Sequence, residues 1–335
     1  MNNVKHEGVL VYIEQRESEI QNVSLELLGK GRELADKLNV KLSAAIIGSD
    51  IKNVEILNHY GADNVIVVED KKFEYYITKT YAKALTSIIN TENPEIVLIG
   101  ATSIGRDIAP RVSARIKTGL TADCTSLDID EEDNNLLMTR PAFGGNIMAT
   151  ITCSEHRPQM ATVRPGVMKK FVKDENRESV IKYHSVDINE NDMDVEVLEV
   201  VKEEDKKISI EDAKILVSGG RGVGNKENLS VLSELADLLK AEVSGSRAVI
   251  DEGLLEKDRQ VGQTGKTVRP DVYFACGISG AIQHIAGMED SDFIIAINKN
   301  KEAAIFDVAD LGIVCDLNKV IPCLIEEIKS HKLKA

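Results

Sequence analysis

Short apolar runs alternate with stretches of helical apolar spacing along the first hundred residues, and no other feature of the chain restricts its fold as much. Gly8–Ile13, Leu42–Ile47, Val65–Val68 and Ile96–Ile99 each have the length and apolar content of a buried strand. Between the first two, Val23, Leu27, Leu28, Gly31, Leu34, Ala35 and Leu38 fall on one helical face, and Val54–Tyr60 and Tyr75–Ile89 read as further helices. Strands that are buried on both faces and separated by helices form a parallel sheet with helices packed on each side. The expected fold class is therefore α/β, with a parallel-sheet N-terminal domain.

The fourth strand runs into Gly100-Ala-Thr102-Ser103-Ile-Gly105-Arg106-Asp107, a loop rich in small and capping residues, and a helix is expected at about Asp107–Ile116. Open parallel sheets bind ligands at such strand ends. Two readings stand: a nucleotide site, or an N-capped helix whose Arg106, Asp107, Arg111 and Arg115 form ion pairs. From Cys124 to Val167 the pattern becomes short segments broken by turns: Cys124–Ile129, Leu136–Arg140, Asn146–Thr152 and Gln159–Val163. These read as antiparallel hairpins appended to the sheet, carrying a subunit interface. Asp174–Lys207 is dense in Glu, Asp and Lys and reads as a linker with at most one edge strand. That sets an N-terminal domain at 1–205 and a C-terminal domain at 206–335, with the boundary near Glu203–Ile208.

Charge and cysteines exclude several functions. A net charge of −14 gives no basic surface for nucleic acid. No apolar stretch approaches the roughly 18 residues of a membrane span, and the opening M-N-N-V-K-H-E has no leader pattern, so a cytoplasmic location is expected. The five cysteines, Cys124, Cys153, Cys276, Cys315 and Cys323, are dispersed without a C-x-x-C pair. That argues against an iron–sulfur or zinc site and against a disulfide framework.

The C-terminal part carries the chemistry. Lys214–Val217 reads as a strand followed by the glycine-rich Ser218-Gly219-Gly220-Arg221-Gly222-Val223-Gly224, where backbone can approach an anion and Arg221 adds positive charge. The spacing is not that of a G-x-G-x-x-G fingerprint, because Asn225 or Glu227 falls at the third position. Gly265-Lys266-Thr267 imitates the end of a P-loop, yet Gln260 stands where that pattern needs glycine. Val272–Cys276 is a second buried strand, and Gly277-Ile-Ser279-Gly280 after it reads as a turn into a helix whose N-terminus suits a phosphate. No Ser/His/Asp or Cys/His arrangement and no metal-ligand spacing is present.

V-G-Q-T-G-K-T (261–267), G-I-S-G-A-I-Q-H (277–284), A-G-M (286–288), A-I-N-K (296–299) and V-A-D-L-G-I-V-C-D-L (308–317) closely resemble the α subunit of electron-transfer flavoproteins. The resemblance runs over the whole chain and is strongest after Ile208. It implies a doubly wound C-terminal domain that binds FAD against a separate β subunit and swings about the linker. Ser246 and Arg247 match the family's S-R pair beside the flavin ring, where a guanidinium favours the anionic reduced ring; without the resemblance, Arg247 reads as a surface ion pair. Gln263 and Thr264 match residues that hydrogen-bond the ring edge, with Gln260, Val261 and Gly262 leading into that loop. His284 matches a histidine near the ring's C2 carbonyl. Ser279, Gly280, Ala281, Ile282 and Gln283 match the phosphate-side turn, and Asn298, Asp316 and Leu317 match positions along the adenosine and ribityl part.

Cys276 replaces a frequent aliphatic, and Gly224-Asn225-Lys226 falls where the family varies. The single flavin of the α subunit favours the structural reading of the 100–116 helix. The implied partners are the β subunit, an acyl-CoA dehydrogenase and, in a bifurcating variant, NADH with ferredoxin or flavodoxin. The blocks 105–112, 118–125 and 157–165 look more like the anaerobic and bacterial branch, toward bifurcation. The chain is expected to be an electron carrier rather than a substrate-transforming enzyme. A NAD(P)-dependent oxidoreductase subunit and a non-redox nucleotide-binding scaffold are the alternatives.

Overall fold

The computed structural model describes residues 5–142, 147–193, 195–201 and 209–332. Two compact units divide the chain, Met1–Lys202 and Glu203–Ala335. The expected hinge at Glu203–Ile208 and the expected Gly144-Gly145 turn lie outside the described residues.

In the first unit the alternation of the sequence becomes a doubly covered sheet. Strands β1 (Val9–Ile13), β2 (Leu42–Gly48), β3 (Asn64–Glu69) and β4 (Ile96–Gly100) alternate with helices α1 (Asn22–Leu38), α2 (Ile56–His59) and α3 (Thr78–Glu92). Helix α4 (Ser103–Ile116) follows. The chain continues through β5 (Leu120–Cys124), β6 (Ser126–Ile129), β7 (Leu136–Ala142), β8 (Ile147–Ile151), β9 (Gln159–Val163) and β10 (Val180–Tyr183). The main sheet has the order β10-β3-β2-β1-β4-β9-β5, with every neighbouring pair parallel. Side chains alternate across it, so Val9, Val11 and Ile13 enter one core and Leu10 and Tyr12 the other.

Two expectations are corrected here. Gln159–Val163 is not a hairpin strand: its five residues are all buried, and it lies parallel between β4 and β5. Between Cys124 and Val167 the antiparallel pairing described is that of β6, β7 and β8. A strand buried on both faces reads as an unbroken apolar run, and Q-M-A-T-V hides that character behind two polar residues. The Gln159 amide is used internally, accepting from the Leu136 N–H at 2.9 Å. Helix α4 starts at Ser103, a turn earlier than expected, because the Thr102 hydroxyl caps it by accepting from the Gly105 N–H at 3.0 Å. The edge strand expected after Asp174 is present: β10 pairs with β3 at the edge of the main sheet, and Ile188 beyond it is buried in the sheet's second core.

A buried carboxylate stands at the carboxyl edge of this sheet. Order reverses between β1 and β4, which makes their ends the natural ligand crevice. Glu14, next after β1 and 3% exposed, receives the Thr102 hydroxyl there and pairs with Arg16 at 2.9 Å. A buried carboxylate thus holds the position at the start of α4 where an anionic ligand would be drawn.

The second unit repeats the logic on a smaller scale. It contains β11 (Ile215–Gly219), α5 (Lys226–Leu239), β12 (Glu242–Gly245), α6 (Arg247–Asp251), β13 (Val272–Cys276), α7 (Ile282–Ile285), β14 (Ile294–Asn298), β15 (Leu311–Val314) and α8 (Leu317–Lys332). The sheet order is β12-β11-β13-β14-β15, all parallel. Helices α5 and α8 pack Leu232, Leu235 and Ile321 onto the face carrying Val217, Phe274 and Cys276. Order reverses between β11 and β13. Among the described residues no helix is long and apolar enough to cross a membrane.

Asp63 ties the first unit together, bonding the Leu42 N–H at 2.9 Å, Arg32 at 2.7 Å and Arg177 at 2.6 Å. Arg32 is 7% exposed and has two counter-charges, Asp63 and Asp36, each at 2.7 Å, so Asp63→Asn removes one of them. The expected cost is about 2 kcal/mol, read as a lower denaturation midpoint at an unchanged slope.

Candidate functional site

The carboxyl ends of β11 and β13 meet backbone to backbone. A Cβ built on Gly220 would lie 2.3 Å from the Gly277 carbonyl, and one on Gly277 would lie 2.9 Å from the Gly222 Cα. Gly277 also has φ +65°, a left-handed conformation, so both its backbone angle and its neighbours require glycine. Residues with side chains would push the two turns apart. Held this close, they form the floor of an open cleft of about 470 Å³.

A second loop makes the wall. Val261 N–H bonds the Gly245 carbonyl at the end of β12, Gly262 N–H bonds Lys266 and Lys266 N–H bonds Gln260, folding 260–266 into a compact hairpin. Gln263 N–H then reaches the Gln283 carbonyl at 2.7 Å, which fastens this loop to the turn after β13. Gly262, at φ +135°, passes 2.8 Å from that same carbonyl measured from its Cβ position. The Gln260 amide donates to the Thr264 hydroxyl at 2.9 Å, fixing Thr264 at the rim.

Most of the residues singled out in the sequence line this cleft. Arg221 comes from the first turn, and Ser246 and Arg247 from the start of α6. Gln260, Val261, Gly262, Gln263 and Thr264 come from the hairpin, and Ser279, Ala281, Gln283 and His284 from the turn after β13. Five of them stand elsewhere. Gly280 is pressed against the backbone of Ala304–Ile305, 2.1 Å from the Ile305 nitrogen at its Cβ position. Ile282 is 59% exposed on the outer side of α7. Asn298 braces the turn from behind by donating to the Ile278 carbonyl at 2.8 Å. Asp316 accepts from the Asn318 N–H at the head of α8, and the Leu317 methyl group packs against Gly277. The cleft adds Ala248, Gly277 and Ile278, which the strand-end rule would have included.

Two expected roles change. Helix α7 is a single turn, Ile282–Ile285, so it supplies little dipole for a phosphate, and positive charge at the cleft comes from Arg221 and Arg247. His284 is 6% exposed with both ring nitrogens engaged, Nε2 with the Tyr273 hydroxyl at 3.0 Å and Nδ1 with the Val261 carbonyl at 3.2 Å. It lines the cleft without a free ring N–H to offer it. Burial pushes its imidazole down to about 4, so it stays neutral. Arg247 is exposed and pairs with Asp251, one helical turn on, at 3.2 Å.

A larger cavity of about 680 Å³ lies at the amino ends of the first unit's strands. Its charged groups are matched internally, Arg32 with Asp36 at 2.7 Å and Lys182 with Glu92 at 3.5 Å, and it sits at the edge where parallel sheets do not bind ligands. Among the described residues no three His, Cys, Asp or Glu side chains are grouped to hold a metal. Burial pushes the Cys276 thiol up to about 12, which leaves it a packing residue.

Residues 9–189 match the electron transfer flavoprotein domain, and residues 209–289 the electron transfer flavoprotein FAD-binding domain. The chain is 54% identical over 334 residues to the electron transfer flavoprotein subunit alpha of Clostridium acetobutylicum, covering 98% of this chain and 99% of that one. It is 54% identical over 329 residues to protein FixB of Clostridium saccharobutylicum, covering 98% of each. The acryloyl-CoA reductase electron transfer subunit beta of Anaerotignum propionicum is 46% identical over 352 residues, covering 97% of this chain and 96% of that one.

The neutral, buried His284 has a consequence for stability. Its folded-state value of about 4 lies below the ordinary 6.5, so the unfolded chain binds the extra proton between those values. Its contribution is complete above pH 6.5 and is lost as pH falls through about 4. His284→Asn is expected to flatten that acid limb in chemical denaturation, and an identical limb would remove His284 from it.

Proposed function

Because this chain belongs to the electron transfer flavoprotein family, as an α subunit with FAD as its cofactor, we propose that its C-terminal cleft holds that FAD between this chain and a β subunit. The reading rests on one observation above all: four loops at the carboxyl edge of one parallel sheet converge on a cleft lined by Arg221, Arg247, Gln263, Thr264 and Ser279. The donor set fits the group. Close-packed glycine backbone leaves room for a diphosphate, Arg221 brings charge to it, and the Thr264 hydroxyl can donate or accept at a ring edge. Bound FAD supplies reversible uptake of electrons one at a time.

The chain's own residues bind and tune. Arg247 brings positive charge to a site that becomes more negative on reduction, which raises the potential. Its exposed pair with Asp251 is weak enough to be given up for that contact. The loop bonds from Val261 to Gly245 and from Gln263 to Gln283 keep the ring-edge groups in place.

Two finer assignments complete the proposal. The β subunit covers the exposed half of the cleft, and the complex works in the cytoplasm with an acyl-CoA dehydrogenase. The relative called acryloyl-CoA reductase electron transfer subunit beta supports that partner class. The chain also serves a bifurcating complex in which NADH supplies the electrons and ferredoxin or flavodoxin takes part of them, which the blocks 105–112, 118–125 and 157–165 favour.

Co-expression with the β subunit should give a yellow heterodimer. Arg247→Ala should lower the flavin potential by roughly 40 mV, the equivalent of an exposed charge contact of about 1 kcal/mol; an unchanged redox titration would strip Arg247 of this role. Added NADH should reduce the heterodimer directly. Flavin that stays oxidised in excess NADH would contradict bifurcation and leave a simple relay.

A further inference from the structure

One buried polar group lies behind the cleft and takes no part in the reading above. Strand alternation puts Ser218 of β11, Ser244 of β12 and Tyr273 of β13 on the same face of the sheet, Ser218 and Ser244 being direct register partners. All three are fully buried. The Tyr273 hydroxyl bonds His284 Nε2 at 3.0 Å, and His284 Nδ1 bonds the Val261 carbonyl at 3.2 Å. A carbonyl only accepts, so Nδ1 carries the proton, Nε2 is bare, and the Tyr273 O–H must donate to it. The Ser218 and Ser244 hydroxyls lie close enough to the Tyr273 oxygen to act on it as hydrogen-bonding groups, yet neither meets the geometry of a formed bond with any partner. Two idle hydroxyls at one buried spot are uncommon and call for a reason.

We propose that Tyr273 is a positioning residue that fixes His284 as its neutral Nδ1–H tautomer, and that Ser218 and Ser244 are reserve acceptors that let this histidine take up a proton when negative charge enters the cleft. The inference rests on the cleft being the flavin site. In the resting arrangement Tyr273 donates to Nε2. When the site gains an electron from its redox partner, one proton from water forms an N–H bond at Nε2 and hydroxide remains in solution. Tyr273 then accepts from Nε2–H and turns its own O–H onto Ser218 or Ser244. No electron passes through the histidine, and the two imidazolium N–H groups and the phenol O–H each keep an acceptor. Without the two serines the turned phenol would have nowhere to donate, and a buried unmet donor would hold His284 neutral.

The other titratable groups around the imidazole do not replace this route. The Cys276 thiol is on the opposite face of the sheet from the Tyr273 phenol and is held protonated by burial. Arg221 and Arg247, across the cleft, oppose a second positive charge until the cleft turns negative. The sequence signal is short: L-V-S-G and E-V-S-G place the two serines at matching strand positions, and Tyr273 in V-Y-F-A falls on the same face two residues earlier, opposite Leu216.

The test uses the FAD-loaded heterodimer with ¹⁵N-labelled histidine, His284 being assigned by its loss in His284→Asn. Wild type should give a neutral ring protonated on Nδ1, and Tyr273→Phe a mixture of tautomers. A proton on Nε2 in wild type, or an unaltered signal in Tyr273→Phe, would overturn the positioning role. The flavin potential of wild type should rise as pH falls across the neutral range. The double variant Ser218→Ala with Ser244→Ala should keep the wild-type tautomer and lose that slope. A flat wild-type profile, or an undiminished slope in the double variant, would overturn the reserve role. A heterodimer that binds no FAD would refute the site reading instead, and the tautomer measurement, which needs no flavin, would still decide the role of Tyr273.

Discussion

Everything at the candidate site depends on two strand-end turns touching without side chains between them. Gly220 and Gly222 lie against Gly277 at distances that no Cβ could share. That contact brings the ends of β11 and β13 together at the place where strand order reverses. The 260–266 hairpin is then fastened between Gly245 and Gln283, and Asn298 and Leu317 brace the turn from behind. The polar lining residues are held by backbone bonds whose own positions follow from the sheet. A site built this way is largely pre-formed, which keeps the ordering cost of binding low.

The two units put the same architecture to opposite uses. Each has a parallel sheet with one reversal of strand order and a crevice at its carboxyl edge. In the first unit the crevice is spanned by Glu14 and Thr102, a buried carboxylate and a helix cap. In the second it is lined by bare backbone and faced by Arg221 and Arg247. The neutral His284 behind the second adds a polar wall that carries no standing charge.

Much of this was legible in the sequence, because the first hundred residues and the glycine-rich strand ends follow rules that depend on near neighbours alone. The four N-terminal strands, β11 and β13 all come from local apolar pattern. What local pattern cannot reveal is pairing at a distance. Gln159–Val163 looks like a hairpin strand until it is found between β4 and β5, where Gln159 spends its amide on the Leu136 backbone. Glu242–Gly245 has only one large apolar residue, so local pattern does not mark it as a strand, although it forms the one that leads into Ser246 and Arg247. The matched motifs named nearly the whole cleft lining. They could not separate residues that face the cleft from those, such as Gly280 and Asn298, that hold its turns in place.

The central claim is that the cofactor sits on the loops of the second unit and nowhere in the first. Amide hydrogen exchange of the heterodimer with FAD bound and removed tests it most directly, since a bound dinucleotide shields the backbone it covers. Slower exchange on binding should be concentrated in residues 260–265 and 277–284. Protection that instead appears at 100–107, with those two loops unchanged, would contradict the account.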